Sequence, residues 1–323
     1  MNKEMFPQEG NWYKGNLHCH STRSDGALTP QEVTAYYKSH GYSFLCMSEH
    51  DLFSDMRGQF DSEDFIILPG VEASAWLVDE NLHRLKTHHI HGILGTQQMQ
   101  RDAALPLYKD GDKLGMRVYF GSWDGLAAAQ ALSDELRARG CFTTYNHPDW
   151  SRVEMDEVTG LEGIWAMEVY NYDTVIECGE GYDHVFWDAM LRKGSKVLGF
   201  ASDDNHNHER LADSFGGFVM VKSEQLSHEA IVRHLLAGDY YFSSGGPQIS
   251  SWGRRGNEIY IQCAGADHIN FICGGGVGLS ETISAKGELL REASHMLSGS
   301  ETYARVECVG EDGKTAWTNP VWL

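Results

Sequence analysis

Residues 16–26 read NLHCHSTRSDG, with His18 and His20 two positions apart and Asp25 five residues after the second histidine. Alternate side chains of a strand leave the same face, so an extended backbone here points His18 and His20 the same way. Such a pair is a two-toothed clamp for a metal ion. It is equally the end of a strand whose histidines hydrogen-bond to neighbours, since imidazole serves both roles. The rest of the chain decides between them.

Outward from that stretch, residues 1–243 alternate short apolar strands with helical stretches, the pattern that builds parallel βαβ units. Strands are predicted near residues 15–20, 43–49, 65–72, 88–94, 141–147, 166–171 and 196–203. Thr29 opens Thr-Pro-Gln-Glu, a capping box with proline at the first helical position, and Gly41 ends that helix. Further helices are read in LAAAQALSDELRARG, closing at Gly140, in YDHVFWDAMLRKG, closing at Gly194, and in SHEAIVRHLLAG, between Ser227 and Gly238. The polar segment 97–122 follows a histidine-bearing strand and reads as a lid or substrate loop. Past Gly245 and Gly246 the pattern changes to alternating stretches such as NEIYIQCAG and HINFICGGG, so residues 244–323 are expected to form a small all-β, sandwich-like domain. The GVGLS run near Gly276 lacks the strand and helix of a phosphate loop and reads as a turn.

A chain of 323 residues, 41% hydrophobic and 22% charged, fits a folded soluble protein with one large domain or two unequal ones. No apolar run approaches the ~20 residues that cross a bilayer, and the opening MNKEMFPQEGNWYKGN has no apolar signal region, so a cytoplasmic location without membrane contact is expected. Seven cysteines without CxxC spacing argue against a disulfide framework and a cysteine-ligated zinc; Cys19 falls near the histidine clamp by position alone. A net charge of -20 argues against a nucleic-acid surface, which relies on clustered Lys and Arg. Small anions remain open as ligands, because divalent ions invert the local field of a pocket.

The histidines collect at strand ends. SEHD places His50 there, GVE places Glu72, HHIHG carries His89 and His91, NHP carries His147, and SDDNH carries Asp204 and His206. In parallel α/β architectures the C-terminal strand ends form the rim where functional side chains converge. Imidazole mixed with carboxylate is the donor set that Zn, Mn and Fe prefer.

The ordered set LHCHSTRSDG, SEHD, GVE, HIHG, NHP and SDDNH resembles the polymerase and histidinol phosphatase (PHP) family of metal-dependent phosphoesterases, over roughly the first 240 residues. The flanks NWYKGNLH, GDYYFSSGGPQI and AWTNPVWL look like a branch with a C-terminal β domain, to which a carbaryl hydrolase also belongs. The resemblance implies a distorted (β/α)7 TIM-like barrel holding two or three divalent metal ions. It implies that His18, His20, Glu72 and Asp204 bind the first ion, that Glu72 bridges to a second held by His89 and His147, and that Asp25, His50 and His206 bind a third. Many relatives have histidine where this chain has Asp25, so a weaker or different third ion is expected. Ser-Glu-His stands where the family usually has Thr-Asp-His, which gives Glu49 the part of orienting His50. His91 shares a strand face with His89 and Asp203 adjoins Asp204, so both pairs stay open at this point.

The expected function is hydrolysis of small phosphomonoesters or phosphodiesters by a metal-activated water, with Arg23, Glu72 and His206 as catalytic residues. The alternatives are hydrolysis of a carboxylic or carbamic ester at the same centre and a non-catalytic metal-binding module. Arg23 and Arg152 are the candidates for reading phosphate at the rim, and Trp150 and Tyr145 for an aromatic wall. The expected partner is a small-molecule phosphoester. No GxSxG, P-loop or dinucleotide fingerprint points to another chemistry.

Overall fold

The computed structural model describes residues 2–209 and 212–323. Its central sheet contains β1 (Asn11–Asn16), β2 (Phe44–Met47), β3 (Ile66–Val78), β4 (Arg84–Leu94), β5 (Cys141–Tyr145), β6 (Ala166–Asn171) and β7 (Leu198–Ser202). Each of the sequence-derived strands has a counterpart here. β1, β2 and β3 run parallel, as do β5, β6 and β7. The fourth strand departs from the all-parallel expectation, because β3 and β4 are the arms of one long antiparallel hairpin in which Glu72 pairs with His91 and Ser74 with His89. The cause is local. Asp79 Oδ1 accepts the backbone N–H groups of Asn81 and His83, each at 2.8 Å, and this Asx turn reverses the chain between the two strands. β4 therefore brings its histidines to the rim from its middle and not from its C-terminal end.

The extensions of the first and seventh strands meet. Cys19 and Asn205 form an isolated parallel bridge, and the His20 N–H donates to the Asn205 carbonyl at 3.1 Å. On its other edge β1 pairs antiparallel with β8 (Phe218–Ser223), which pairs with β9 (Tyr240–Ser243). The helices punctuate this sheet as the sequence dictates. In Pro30–Ser39 the Thr29 hydroxyl accepts from Glu32 N–H at 3.3 Å while Glu32 Oε2 accepts from Thr29 N–H at 2.8 Å. In His228–Ala237 the Ser227 hydroxyl caps the start and Gly238 ends the helix at φ 81, a conformation costly for any residue with a Cβ. Buried Phe44, Leu68, Ile90, Met167 and Phe200 belong to the core packed around the sheet.

A second core lies between two β layers in the C-terminal region. One layer holds β10 (Ile249–Arg255) and β11 (Glu258–Ala266), with Trp252 and Ile261 facing in; the other holds β12 (His268–Cys273) and β15 (Tyr303–Val309), with Phe271 and Val306 facing them. Between these in the chain, β13 (Glu281–Ser284) extends the second layer and β14 (Leu290–Met296) the first, and β16 (Thr315–Thr318) pairs with β9. The N-terminal residues cross over: Lys3 and Glu4 pair with Arg254 and Gly253, and Phe6 joins the second core. Fully buried Arg305 ties β15 to the helix His184–Arg192, with Nε and Nη2 at 3.0 and 2.9 Å from the two Asp188 oxygens and Nη1 at 2.6 Å from Glu307 Oε1.

Segment 97–122 is fastened to this body through a short helix, Gln97–Arg101, and a strand, Arg117–Phe120, paired parallel to Ala75–Val78. The run around Gly276 forms a turn in which Ser280 Oγ accepts from Cys273 N–H. Among the described residues no helix is long and apolar enough to cross a membrane.

Candidate metal centre

His18 and His20 lie just past the end of β1, on the side that faces the ends of the other strands. Both Nε2 atoms converge on Asp204 Oδ1, at 2.9 and 3.0 Å, and on Glu72 Oε2, at 3.2 and 3.3 Å. Glu72 stands in β3 beyond its regular pairing with β2, opposite His91 of β4 on one edge and bridged to His50 on the other. Its second oxygen, Oε1, faces the other way, 3.1 Å from His89 Nδ1 and 3.2 Å from His147 Nε2. A third group surrounds Asp25, whose oxygens lie 3.4 Å from His50 Nε2 and 3.5 Å from His206 Nε2. His50 Nδ1 reaches back to Glu72 Oε2 at 3.1 Å, so the three groups are contiguous.

These donors fit divalent ions. His18 Nε2, His20 Nε2, Glu72 Oε2, His89 Nδ1 and Asp204 Oδ1 are buried and, although close to one another, are not aligned for hydrogen bonds. Buried polar atoms left in this way destabilise a fold unless something joins them. Ligands held about 2.0–2.2 Å from one tetrahedral ion stand roughly 3.3 Å apart, close to the separations seen around Glu72 and Asp204. His147 and Asp204 also carry left-handed backbones, φ 25 and 53, the strain that accompanies functional positions.

Outer partners orient the rings. His18 Nδ1 is 2.9 Å from Glu168 Oε1, and Glu168 Oε2 also accepts the backbone N–H of His147 at 3.0 Å. A carboxylate behind a ligating histidine fixes its tautomer and turns the other nitrogen to the metal. His206 Nδ1 donates to the Asp204 carbonyl at 2.9 Å, which leaves Nε2 free to ligate. Glu49 acts differently from the expectation. Its carboxylate accepts from Ser21 N–H and Ser24 N–H, both at 3.1 Å, so it shapes the loop that carries Asp25 and does not orient His50. Neighbouring residues of an extended chain point to opposite sides, which puts Glu49 and His50 on different faces.

A pocket of about 480 Å³ opens over His89, His147 and His206, within the size range of small-molecule sites. Trp76, Met116 and Trp150 contribute apolar wall; Asp173, Glu177 and Arg84 contribute charge.

No family model matches the chain. A 5'-3' exoribonuclease from Haemophilus influenzae is 29% identical over 141 residues, which cover 41% of this chain and 50% of that protein. The chain thus spans about half the length of the curated relative it matches. Among solved structures, a two-domain protein from Bacteroides vulgatus, described as containing a PHP-like metal-dependent phosphoesterase, is 12% identical, with 99% of this chain and 98% of that chain covered and a TM-score of 0.48. An amidohydrolase from Chromobacterium violaceum with bound sulfate is 18% identical, with 59% and 87% covered and a TM-score of 0.39.

The geometry separates the pairs that the sequence left open. His89 touches Glu72 at 3.1 Å, whereas His91 lies deeper, 4.0 Å from Glu72 Oε1 and edge-on to the His18 ring. Asp204 faces the donors, and Asp203 faces the opposite side, where it accepts from the Tyr37 hydroxyl and the Gly217 N–H at 2.7 Å each.

Several sequence-derived candidates fall elsewhere. Arg23 Nη1 is tied to Asp110 Oδ1 at 2.6 Å and does not line the pocket; its closeness in sequence to His20 does not carry its side chain to the rim. Arg152 pairs with Glu180 at 2.7 Å, and Tyr145 is buried with its hydroxyl 2.5 Å from His88 Nδ1. Cys19 packs with Tyr37 and Leu45 on the back of β1. Trp150 does line the pocket. Glu168, Asp173 and Arg84 escaped the sequence reading, although a lone glutamate in the apolar stretch AMEVYN was a signal for Glu168.

Electrostatics favour a cation among these groups. Burial pulls the His20 and His147 rings down, but Asp204 and Glu72 more than reverse it and raise them to about 10 and about 9. Glu72 and Asp204 are held well below the ordinary carboxylate range by the surrounding histidines despite their burial. A site that holds protons this firmly on imidazole also suits a metal ion on the same nitrogens. Burial depresses His89 to about 4, which keeps its ring neutral and able to ligate.

Proposed function

We propose that the protein is a metal-dependent phosphoesterase of the PHP kind. In this reading residues 1–243 form the distorted (β/α)7 TIM-like barrel, residues 244–323 the accompanying β domain, and two or three ions of Zn, Mn or Fe occupy the rim. The observation that carries it is the Glu72 carboxylate, one oxygen among His18, His20 and His50 and the other between His89 and His147. A carboxylate shared by two sets of imidazole donors suits a pair of ions set close together, the layout of many hydrolases of phosphate esters. The exoribonuclease relative supports a phosphoester as the substrate, since an exoribonuclease acts on phosphodiester bonds.

His18, His20, Glu72 and Asp204 would hold the first ion, Glu72, His89 and His147 the second, and Asp25, His50 and His206 the third. Divalent ions held by these residues would supply charge to balance a phosphoryl group and would lower the pKa of a bound water toward neutrality. The chain's own residues supply the rest. Glu168 fixes the His18 ring and the His147 backbone, and the Asp204 carbonyl fixes His206. Trp76 and Trp150 give the pocket apolar wall against which the organic part of a substrate can pack. Asp173 contributes a carboxyl group to one wall of the pocket.

The test is a side-by-side assay of the metal-loaded protein on 4-nitrophenyl phosphate, bis(4-nitrophenyl) phosphate and 4-nitrophenyl N-methylcarbamate. Hydrolysis of one or both phosphates, lost in Glu72→Ala, supports the reading. Turnover of the carbamate alone moves the reaction to the carboxylic and carbamic ester class, and full metal content with no turnover makes the chain a binding module.

A further inference from the structure

We propose that Arg84 is the specificity-determining residue of the pocket and reads a second anionic group, carried on the part of the substrate that points away from the metals. This rests on the phosphoesterase reading for the identity of the first group. Among the described residues Arg84 is the one Lys or Arg that lines a pocket otherwise charged by Asp25, Asp51, Asp173, Glu177 and Asp204. Its guanidinium lies over the Trp76 ring, with Cζ 4.2 Å from the centroid and no carboxylate within ion-pairing distance among the described residues. Arg23 and Arg152, by contrast, are already engaged by Asp110 and Glu180. A guanidinium stacked on indole keeps its N–H edges free for a two-toothed grip on phosphate or carboxylate.

The backbone is built to put it there. In the β3–β4 hairpin Leu77 pairs with Lys86, yet Val78 pairs with Arg84, so Leu85 is an extra, unpaired residue. Regular pairing would set Leu85 opposite Val78, on the face of Glu72, Ser74 and Trp76. The bulge sends Leu85 outward, where it is 46% exposed, and turns Arg84 onto the pocket face. Re-aiming one side chain beside a site is a recurrent use of such bulges.

Position fixes what Arg84 can read. Along β3 the residue opposite Arg84 is Val78, six residues past Glu72 and four past Ser74, which pairs with His89, so the guanidinium above Trp76 lies on the side of the pocket away from the Glu72 donors. The Trp150 ring, 5.1 Å from that of His147, lines the same pocket beside the metal donors. The substrate class that fits is a phosphoester with a flat middle and a second negative group at its far end.

The test compares wild type, Arg84→Ala and Arg84→Lys. The probes are biphenyl-4-yl phosphate, the same ester bearing a 4′-phosphonomethyl group, and two compounds that cannot be hydrolysed, biphenyl-4-ylphosphonate and biphenyl-4,4′-diylbis(phosphonate). Arg84→Ala is expected to lower kcat/KM on the phosphonomethyl ester by on the order of 10-fold to 100-fold, mainly through KM, and to change the plain ester by less than about threefold; Arg84→Lys falls between. By calorimetry on the metal-loaded protein, the wild type prefers the bis(phosphonate) to the monophosphonate, and Arg84→Ala erases that preference. Equal losses on both esters, or a preference absent from the wild type or retained in Arg84→Ala, overturn the role of Arg84. Hydrolysis of neither ester together with an Arg84-dependent binding preference removes the phosphoesterase reading and leaves the anion site standing.

Discussion

Glu168 and Asp204 hold opposite nitrogens of one ring: Glu168 Oε1 is 2.9 Å from His18 Nδ1 and Asp204 Oδ1 is 2.9 Å from His18 Nε2. Facing a carboxylate on the Nδ1 side keeps the proton there and presents the Nε2 lone pair to the metal side. Glu168→Gln should therefore weaken metal binding about 10-fold to 100-fold while the other donors stay in place. Competition against a chromogenic chelator measures it, and unchanged affinity would show that His18 is oriented by packing alone.

Glu72 faces both donor groups, so its removal should strip more than one ion. Elemental analysis of reloaded Glu72→Ala should show a loss of at least two equivalents against wild type. A loss of a single equivalent would assign Glu72 to one site only.

The Asp25 side chain is 53% exposed, unlike the fully buried His18, His20 and Glu72. An ion at Asp25, His50 and His206 should accordingly leave first in a stepwise chelator titration, and Asp25→Ala should abolish that first step without touching the later ones. Simultaneous release of all ions would reduce the centre to two.

Acidity sets a further prediction. His20 and His147 are raised from the ordinary 6.5 to about 10 and about 9 by Asp204 and Glu72 against the pull of burial. A raised histidine contributes stability that is complete below about 6.5 and is lost as pH climbs through 9 to 10. Chelator-treated protein should thus show a falling Tm between pH 8 and 10. Metal-loaded protein, its imidazoles held neutral by the ions, should resist that decline, and identical profiles for the two forms would remove the coupling.

Arg305 is fully buried between Asp188 and Glu307, and cutting it back strands two carboxylates. Arg305→Ala should lower stability by about 3–5 kcal/mol, read from the denaturant midpoint. Arg305→Met together with Asp188→Leu and Glu307→Leu should recover most of it.

Part of the donor cluster was legible in the backbone pattern, since an extended chain sets His18 and His20 on one face; the grouping of Glu72, His89, His147, Asp204 and His206 with them came from the resemblance of their short motifs to the PHP family. His91, alternate to His89, and Asp203, adjacent to Asp204, were left to be separated by packing. Arg84 was hidden because a bulge breaks the period of two at Leu85, and no residue type announces a bulge in an exposed hairpin. Arg23 misled for the converse reason: a loop has no period, and Asp110, far along the chain, captures its side chain. The direction of β4 turned on Asp79, whose backbone-binding carboxylate makes an antiparallel hairpin of two strands that the overall alternation read as parallel.

The pairing of Lys3 and Glu4 with Arg254 and Gly253 gives this chain a late seam. Lys3 and Glu4 are made long before their partners, which follow every residue of the metal centre in the chain. Until they dock, the outer edge of Ile249–Arg255 is bare, and an open strand edge recruits other chains. Slow closure between such distant segments exposes that edge longest in newly made protein. Aggregation during expression should start there, and deleting Lys3 and Glu4 should make the bare edge permanent.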